Sequence, residues 1–339
     1  MYQLKQLPKD FVVIEIPAVQ TLEKGHYAYF WIKKRDLNTL DVVRQIAKEL
    51  RIKEKEIGFA GSKDKHAVTE QLISIAGKKK EEVEKIRSPH FTLQWYGYGN
   101  KPISLGDLQG NKFEIVIRNL EEEKIEKIQY LENYFDEQRF SEHNLEIGRH
   151  LLKKEFKQAV SLLDELSVAK YCKEKPTDAV GALKLLPLRQ LRMYVNAYQS
   201  YLWNKTVAEI LNRKGKIIEI IPYSAGKLTF IDQPETLKDL KIPLIGFSEE
   251  KVSEEIQNII DKIMEEENIS YADFIIKQIP EITLEGELRN AVVLVADLQI
   301  GKEISDELNQ GKKKVKVSFA LPKGSYATMV IKRIMLSSA

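Results

Sequence analysis

The hydrophobic period of this 339-residue chain changes along its length, and the change limits the folds open to it. Residues 9–16 and 26–33 alternate in twos, with Tyr27, Tyr29 and Trp31 on one side and Ala28, Phe30 and Ile32 on the other. Asn38-Thr39 then offers a cap to a helix with Val42, Val43, Ile46, Ala47 and Leu50 along one face. Two strands flank residues 60–67, and a helix is predicted from Lys79 to Ser88, ended by Pro89. Strands return near 91–98 and 112–118. From about 120 to 213 the period is helical, most clearly over Leu188 to Asn212, where Leu191, Val195, Tyr198, Leu202 and Ile210 share a face. Residues 215–295 mix short strands, turns and a charged helix near 249–267. A strand over Val315 to Phe319, a Pro-Gly turn and a short helix follow. This is an α+β pattern with no internal repeat and no low-complexity linker.

Composition narrows the function classes. Hydrophobic residues make up 43% and charged residues 30%, which describes a globular protein rather than a disordered one. No apolar run approaches the roughly 18 residues of a membrane span, and Met1-Tyr2-Gln3-Leu4-Lys5 carries no apolar signal core, so a cytoplasmic protein is expected. Cys172 is the only cysteine, which leaves no intramolecular disulfide and no thiolate cluster for zinc. His143 and His150 lack metal-ligand spacing, so no metal is assigned. The net charge of +3 is too small to indicate a polyanionic partner, but its distribution is uneven. Residues 1–131 hold 23 basic and 19 acidic side chains, residues 132–300 hold 22 and 28, and residues 301–339 hold 8 and 3. Two basic ends and an acidic middle suit ends that jointly face a polyanion, although Lys-rich solvated surface gives the same count.

One loop stands out chemically. Gly58-Phe59-Ala60-Gly61-Ser62-Lys63-Asp64-Lys65-His66-Ala67-Val68-Thr69-Glu70-Gln71 places a single carboxylate between two lysines, with strands on both sides. A loop fixed by a sheet can aim one side chain into a cleft, whereas Asp suits a strand interior poorly. Lys-Asp-Lys in a turn is, by itself, more often a solvated loop tip.

The string is long, however, and it resembles the signature around the catalytic aspartate of the tRNA pseudouridine synthase D (TruD) family. Four further blocks are similar to that family and occur in its order: Pro8 to Val13, Leu105 to Phe113, Asn133 to Phe140 and Leu321 to Thr328. The resemblance implies a pseudouridine synthase fold, a mainly antiparallel central sheet split by an inserted TruD-specific α/β domain. The catalytic domain would be residues 1–131 and 296–339, with 132–295 inserted. It also implies a tRNA partner, uridine-13 as the target, and isomerisation to pseudouridine by an aspartate nucleophile or base. Such an isomerisation needs no cofactor. No protein partner is implied, and the oligomeric state stays open.

The same resemblance assigns roles. Asp64 would be catalytic, with Lys5 supplying the cation near its carboxylate and Asn111 supporting it. Phe113 and Tyr326 would pack against the target base, Tyr326 standing where the family often has Phe. By period alone, Asn111 and Phe113 share a strand face with Ile115 and Ile117, and Phe113 would simply be core. Lys63, Lys65, Arg139, Lys323 and Ser325 are the expected RNA contacts. Ser325 could also cap the helix containing Met329, Val330 and Ile334, beside a glycine suited to phosphate. Asn196 to Asn204 is a further family-like block, read as scaffold and possible RNA contact. Two other functions compete: an RNA-binding or chaperone protein in which Asp64 is dispensable, and a different RNA-modifying enzyme such as a methyltransferase. The second needs a cofactor-binding glycine loop, and Tyr96-Gly97-Tyr98-Gly99-Asn100 lacks the full fingerprint.

Overall fold

The computed structural model describes residues 2–121 and 125–336; Met1, 122–124 and 337–339, parts of the expected catalytic segments, lie outside them. The chain folds as two compact units. The first comprises the described residues of Met1–Gln129, Leu294–Ala327 and Ile334–Ala339; the second comprises Tyr130–Val293 and Thr328–Arg333.

The first unit begins with β1 (Phe11–Pro17) and β2 (Tyr27–Arg35), then α1 (Thr39–Leu50), β3 (Ile57–Phe59) and β4 (Val68–Ala76). A short α2 (Lys80–Val83), β5 (Phe91–Gly99) and the long β6 (Leu108–Leu120) follow. The helix expected over Lys79 to Ser88 is thus a single turn.

The second unit holds β7 (Tyr130–Glu132), α3 (Asn144–Leu152), α4 (Phe156–Ser161), α5 (Leu166–Glu174) and α6 (Ala179–Leu183). It continues with α7 (Leu188–Lys214), β8 (Ile217–Tyr223), β9 (Gly226–Ile231), β10 (Lys241–Leu244), α8 (Glu254–Glu267), β11 (Glu287–Asn290) and β12 (Val292–Leu294). The chain ends with β13 (Ala296–Ile300), β14 (Ile304–Ser305), β15 (Lys313–Pro322) and α9 (Ala327–Met335).

A nine-stranded sheet forms the first unit in the order β13-β15-β6-β1-β4-β2-β5, with β14 beside β15 and β3 beside β4. Among the described residues, every pairing in it is antiparallel except β1 with β4. The α+β class with a mainly antiparallel sheet is therefore borne out. On one face Phe30, Ile32 and Ile73 pack under Val42, Val43 and Ile46 of α1. That burial explains why alternating strands and one amphipathic helix occur together in this region.

Strands from the two ends of the sequence lie side by side in the sheet. Gly110 shows how closely: a Cβ there would lie 2.1 Å from the carbonyl oxygen of Leu321. Arg118 on β6 adds a buried clasp. Its guanidinium donates to Asp10 at 2.8 and 2.9 Å, to Asp306 at 2.7 Å and to Glu307 at 3.2 Å. Burial alone would raise the Asp306 carboxyl. Hydrogen bonds from Asn309, the main-chain N–H groups of Asn119 and Leu308, and Arg118 outweigh it and hold the group well below the usual range.

In the second unit α7 is the central support. Leu191 and Val195 join Ile147, Leu151 and Leu183 in one core, and Trp203 is fully buried. Asn204 accepts from the main-chain N of Phe135 at 2.9 Å and donates to its carbonyl at 2.8 Å, substituting for a strand partner.

Candidate active site

Strand register lines up one row of side chains across the sheet. Lys34 of β2 pairs with Thr69 of β4, Thr69 with Val13 of β1, Val13 with Phe113 of β6, and Phe113 with Phe319 of β15. Directly paired residues project from the same face, so all five share one side. Two residues along, Glu15, Asn111 and Leu321 form the next row. The loop between β3 and β4 carries Asp64 beside these rows.

That loop is braced from four places. Thr39, at the start of α1, accepts from the Lys63 main-chain N at 3.1 Å and donates to Gln71 at 2.8 Å. Gln71 in turn donates to the Gly61 carbonyl at 3.0 Å. Lys34 Nζ donates to the carbonyl oxygens of Asp64 at 2.9 Å and Lys63 at 3.4 Å. Lys63 Nζ pairs with Glu15 Oε2 at 2.8 Å, with side-chain exposures of only 8% and 1%. Fixing the backbone this way sets the direction of the Asp64 side chain at little further entropic cost.

Lys5 Nζ donates to Asp64 Oδ2 at 2.6 Å, and each side chain is 27% exposed. Lys5 adopts φ +57°, the left-handed region, and its ammonium sits 4.2 Å from the centroid of Phe11. The ring beneath and the carboxylate beside it hold the cation from two sides. A carboxylate with a cation at contact distance and a quarter of its surface open remains reachable by a substrate.

The other expected residues are placed differently from one another. Asn111 lies in the row beside Glu15, and its Oδ1 is buried with no hydrogen-bond partner among the described residues. Phe113 is buried among Phe11, 6.3 Å away edge-on, and Phe319, 5.5 Å away. Lys65 is exposed. Lys323 is also exposed and donates to the Gly106 carbonyl at 3.0 Å. Tyr326 and Ser325 are half-buried in the turn after β15. α9 starts at Ala327, so Tyr326, not Ser325, directly precedes the helix. Arg139 belongs to the second unit, where its guanidinium lies 5.2 Å from the Phe135 ring. Lys63, expected as an RNA contact, is engaged with Glu15 in this structure. Its ammonium points inward to Glu15, whose buried carboxylate would otherwise be left uncompensated.

Sequence reasoning missed Lys34, Glu15, Thr39 and Gln71. A signal existed for the two charged residues. Glu15 follows Phe11 and Val13 at the inward positions of β1, and Lys34 follows Phe30 and Ile32 at the inward positions of β2. A charge on the inward register of a strand calls for a partner.

The family model for tRNA pseudouridine synthase D (TruD) matches residues 2–164, 161–225 and 235–334. A tRNA pseudouridine synthase D from Aquifex aeolicus is 31% identical, over 99% of this chain and 98% of its own length. The chain belongs to the TruD family. A Leptospira interrogans tRNA pseudouridine synthase D is likewise 31% identical, covering 100% of this chain and 97% of that TruD protein. Among solved structures, a Methanosarcina mazei protein described as a candidate TruD superposes with a TM-score of 0.68 at 27% identity, covering 98% of this chain and 93% of that one. Among the described residues of this TruD member, no group of three or more His, Cys, Asp and Glu side chains could hold a metal ion. No helix among them is long and apolar enough to cross a membrane.

Proposed function

We propose that this chain isomerises a uridine of tRNA, uridine-13, to pseudouridine, with Asp64 as the nucleophile or base. The observation that carries the reading is the Lys5–Asp64 pair, 2.6 Å apart and partly open, on a loop fixed from four sides. The reaction breaks the N1–C1′ bond, turns the base, forms C5–C1′, moves the C5 proton to solvent and returns one to N1. Atoms and electrons balance within the substrate, and the enzyme needs only to stabilise charge and hold the detached base.

An ionised carboxylate serves either by attacking the sugar or by removing a proton from it. Lys5 keeps Asp64 ionised when RNA excludes water from the site. Asn111 is the supporting amide beside the carboxylate in this reading. Phe113 and Tyr326 are the aromatic contacts for the extruded base. Extrusion costs a few kcal/mol, offset by phosphate contacts from Lys65, Lys323, Ser325 and Arg139. Residues 1–131 and 296–339 would form the catalytic domain of this reading, with 132–295 inserted into it.

The test is pseudouridine formation on unmodified tRNA transcripts, mapped by position, for wild type and Asp64→Asn. Product at position 13 with wild type and none with the variant is the expected result. Product from both removes Asp64 from the chemistry; product elsewhere overturns the assigned target.

A further inference from the structure

Lys34 is a buried cation that this chemistry leaves unused. Its side chain lies on the inward face of β2, the residue is 2% exposed, and its ammonium donates to two consecutive carbonyl oxygens, those of Lys63 and Asp64. Burying an ammonium is costly, and a core strand would be served more simply by an apolar residue. The two carbonyls it holds flank the Asp64 Cα, so any change in this contact rotates the peptide that carries the carboxylate.

We infer that Lys34 is a positioning residue for the isomerisation, its ammonium fixing the main chain at Lys63 and Asp64 so that the Asp64 carboxylate stays in reacting geometry. The inference rests on the proposed role of Asp64 and deepens it. The groups around Lys34 can be stated element by element. The loop supplies Asp64, which favours the charged amine, and Lys63, which disfavours it. β1 supplies Glu15, already paired to Lys63, and the N-terminal segment supplies Lys5, already paired to Asp64. β4 contributes uncharged Thr69, α1 contributes uncharged Thr39, and β5 places Phe91 opposite Lys34. His66 is exposed, 3.9 Å from Asp36. Among the described residues Lys34 therefore has no carboxylate of its own, and desolvation lowers its pKa to about 8. Above that pH the neutral amine is a weaker donor to both carbonyls, and its attraction to the Asp64 carboxylate disappears.

The experiment measures kcat and KM for tRNA between pH 6.5 and 9.5 for wild type, Lys34→Met, Lys34→Gln and Asp64→Asn. Wild-type kcat should fall about tenfold through a midpoint near pH 8, with KM steady within twofold. Lys34→Met and Lys34→Gln should lower kcat at pH 7 by roughly 10–100-fold, keep KM, and lose the limb near pH 8. Any decline from titration of the uracil itself remains in both variants, so the difference isolates Lys34. A wild-type kcat flat across this range overturns the inference without reference to any variant, should either fail to fold. It is equally overturned if a folded variant keeps kcat within threefold, or keeps the same alkaline limb. Activity in Asp64→Asn refutes the underlying assignment; an inactive Asp64→Asn beside a fully active Lys34→Met refutes this inference alone.

Discussion

The Glu15–Lys63 pair allows a quantitative test of how the loop is held. Lys63 Nζ and Glu15 Oε2 are 2.8 Å apart at 8% and 1% exposure, and Glu15 Oε1 also accepts the Leu72 main-chain N–H at 3.3 Å. Removing one member of a buried pair leaves an uncompensated charge, at a cost of about 3–5 kcal/mol. Lys63 is on a loop and can swing outward, so about 3 kcal/mol is expected for Glu15→Met, and about 3–5 kcal/mol for Lys63→Met, which strands the carboxylate on its strand. Replacing both removes the charges together and leaves chiefly the Leu72 N–H unpaired, about 1 kcal/mol. The double variant should thus be more stable than either single one, far from the additivity within about 0.5 kcal/mol shown by independent sites. Urea unfolding followed by tryptophan fluorescence reads this out in a Trp203→Phe background, where Trp31 and Trp95 report on the first unit. Single variants costing under about 1 kcal/mol, or a double equal to their sum, would refute the brace.

Three other outcomes follow from the same geometry. Lys5→Met should slow single-turnover isomerisation by about 10²–10³-fold, the usual loss for one charge-stabilising donor, while stability changes by less than about 1 kcal/mol because both partners are a quarter exposed. Asp306 has a depressed carboxyl, so its contribution to stability is complete above the unfolded value of about 3.9 and is lost as pH falls below it. Denaturation midpoints should drop steeply from pH 4 to 2 in wild type and less so in Asp306→Asn. Gly110→Ala must push β6 from β15, costing about 1–3 kcal/mol by urea titration and lowering kcat with the displaced Asn111.

The sheet, α1 and α7 were legible because their periods are local properties of the sequence. α2 was overextended because the charged stretch Lys79 to Ser88 has little to bury beyond Val83. Asp64 was recognisable from its neighbours in sequence, but its supports were not. Lys5 and Asp64 are 59 residues apart, and Lys63 and Glu15 are 48 apart, so each contact depends on strand register. The inward turn of Lys63 follows from the parallel β1–β4 pairing, which brings Glu15 beside the loop and which no local pattern encodes.

The pairing of β6 with β15 also has a temporal meaning. A ribosome completes Leu120 about 190 residues before Lys313, roughly 10–40 s earlier at the usual 5–20 residues per second. Through that interval β6 is an open edge, with unpaired main-chain groups and Phe113 lacking Phe319. A nascent chain can fold its middle while the earlier sheet waits for its missing strand. Any product stopped before β15 has neither the closing strand nor a finished aromatic row. Competence in this enzyme would then arrive only once β15 has been made, and a chain interrupted before it would be sticky rather than partly active.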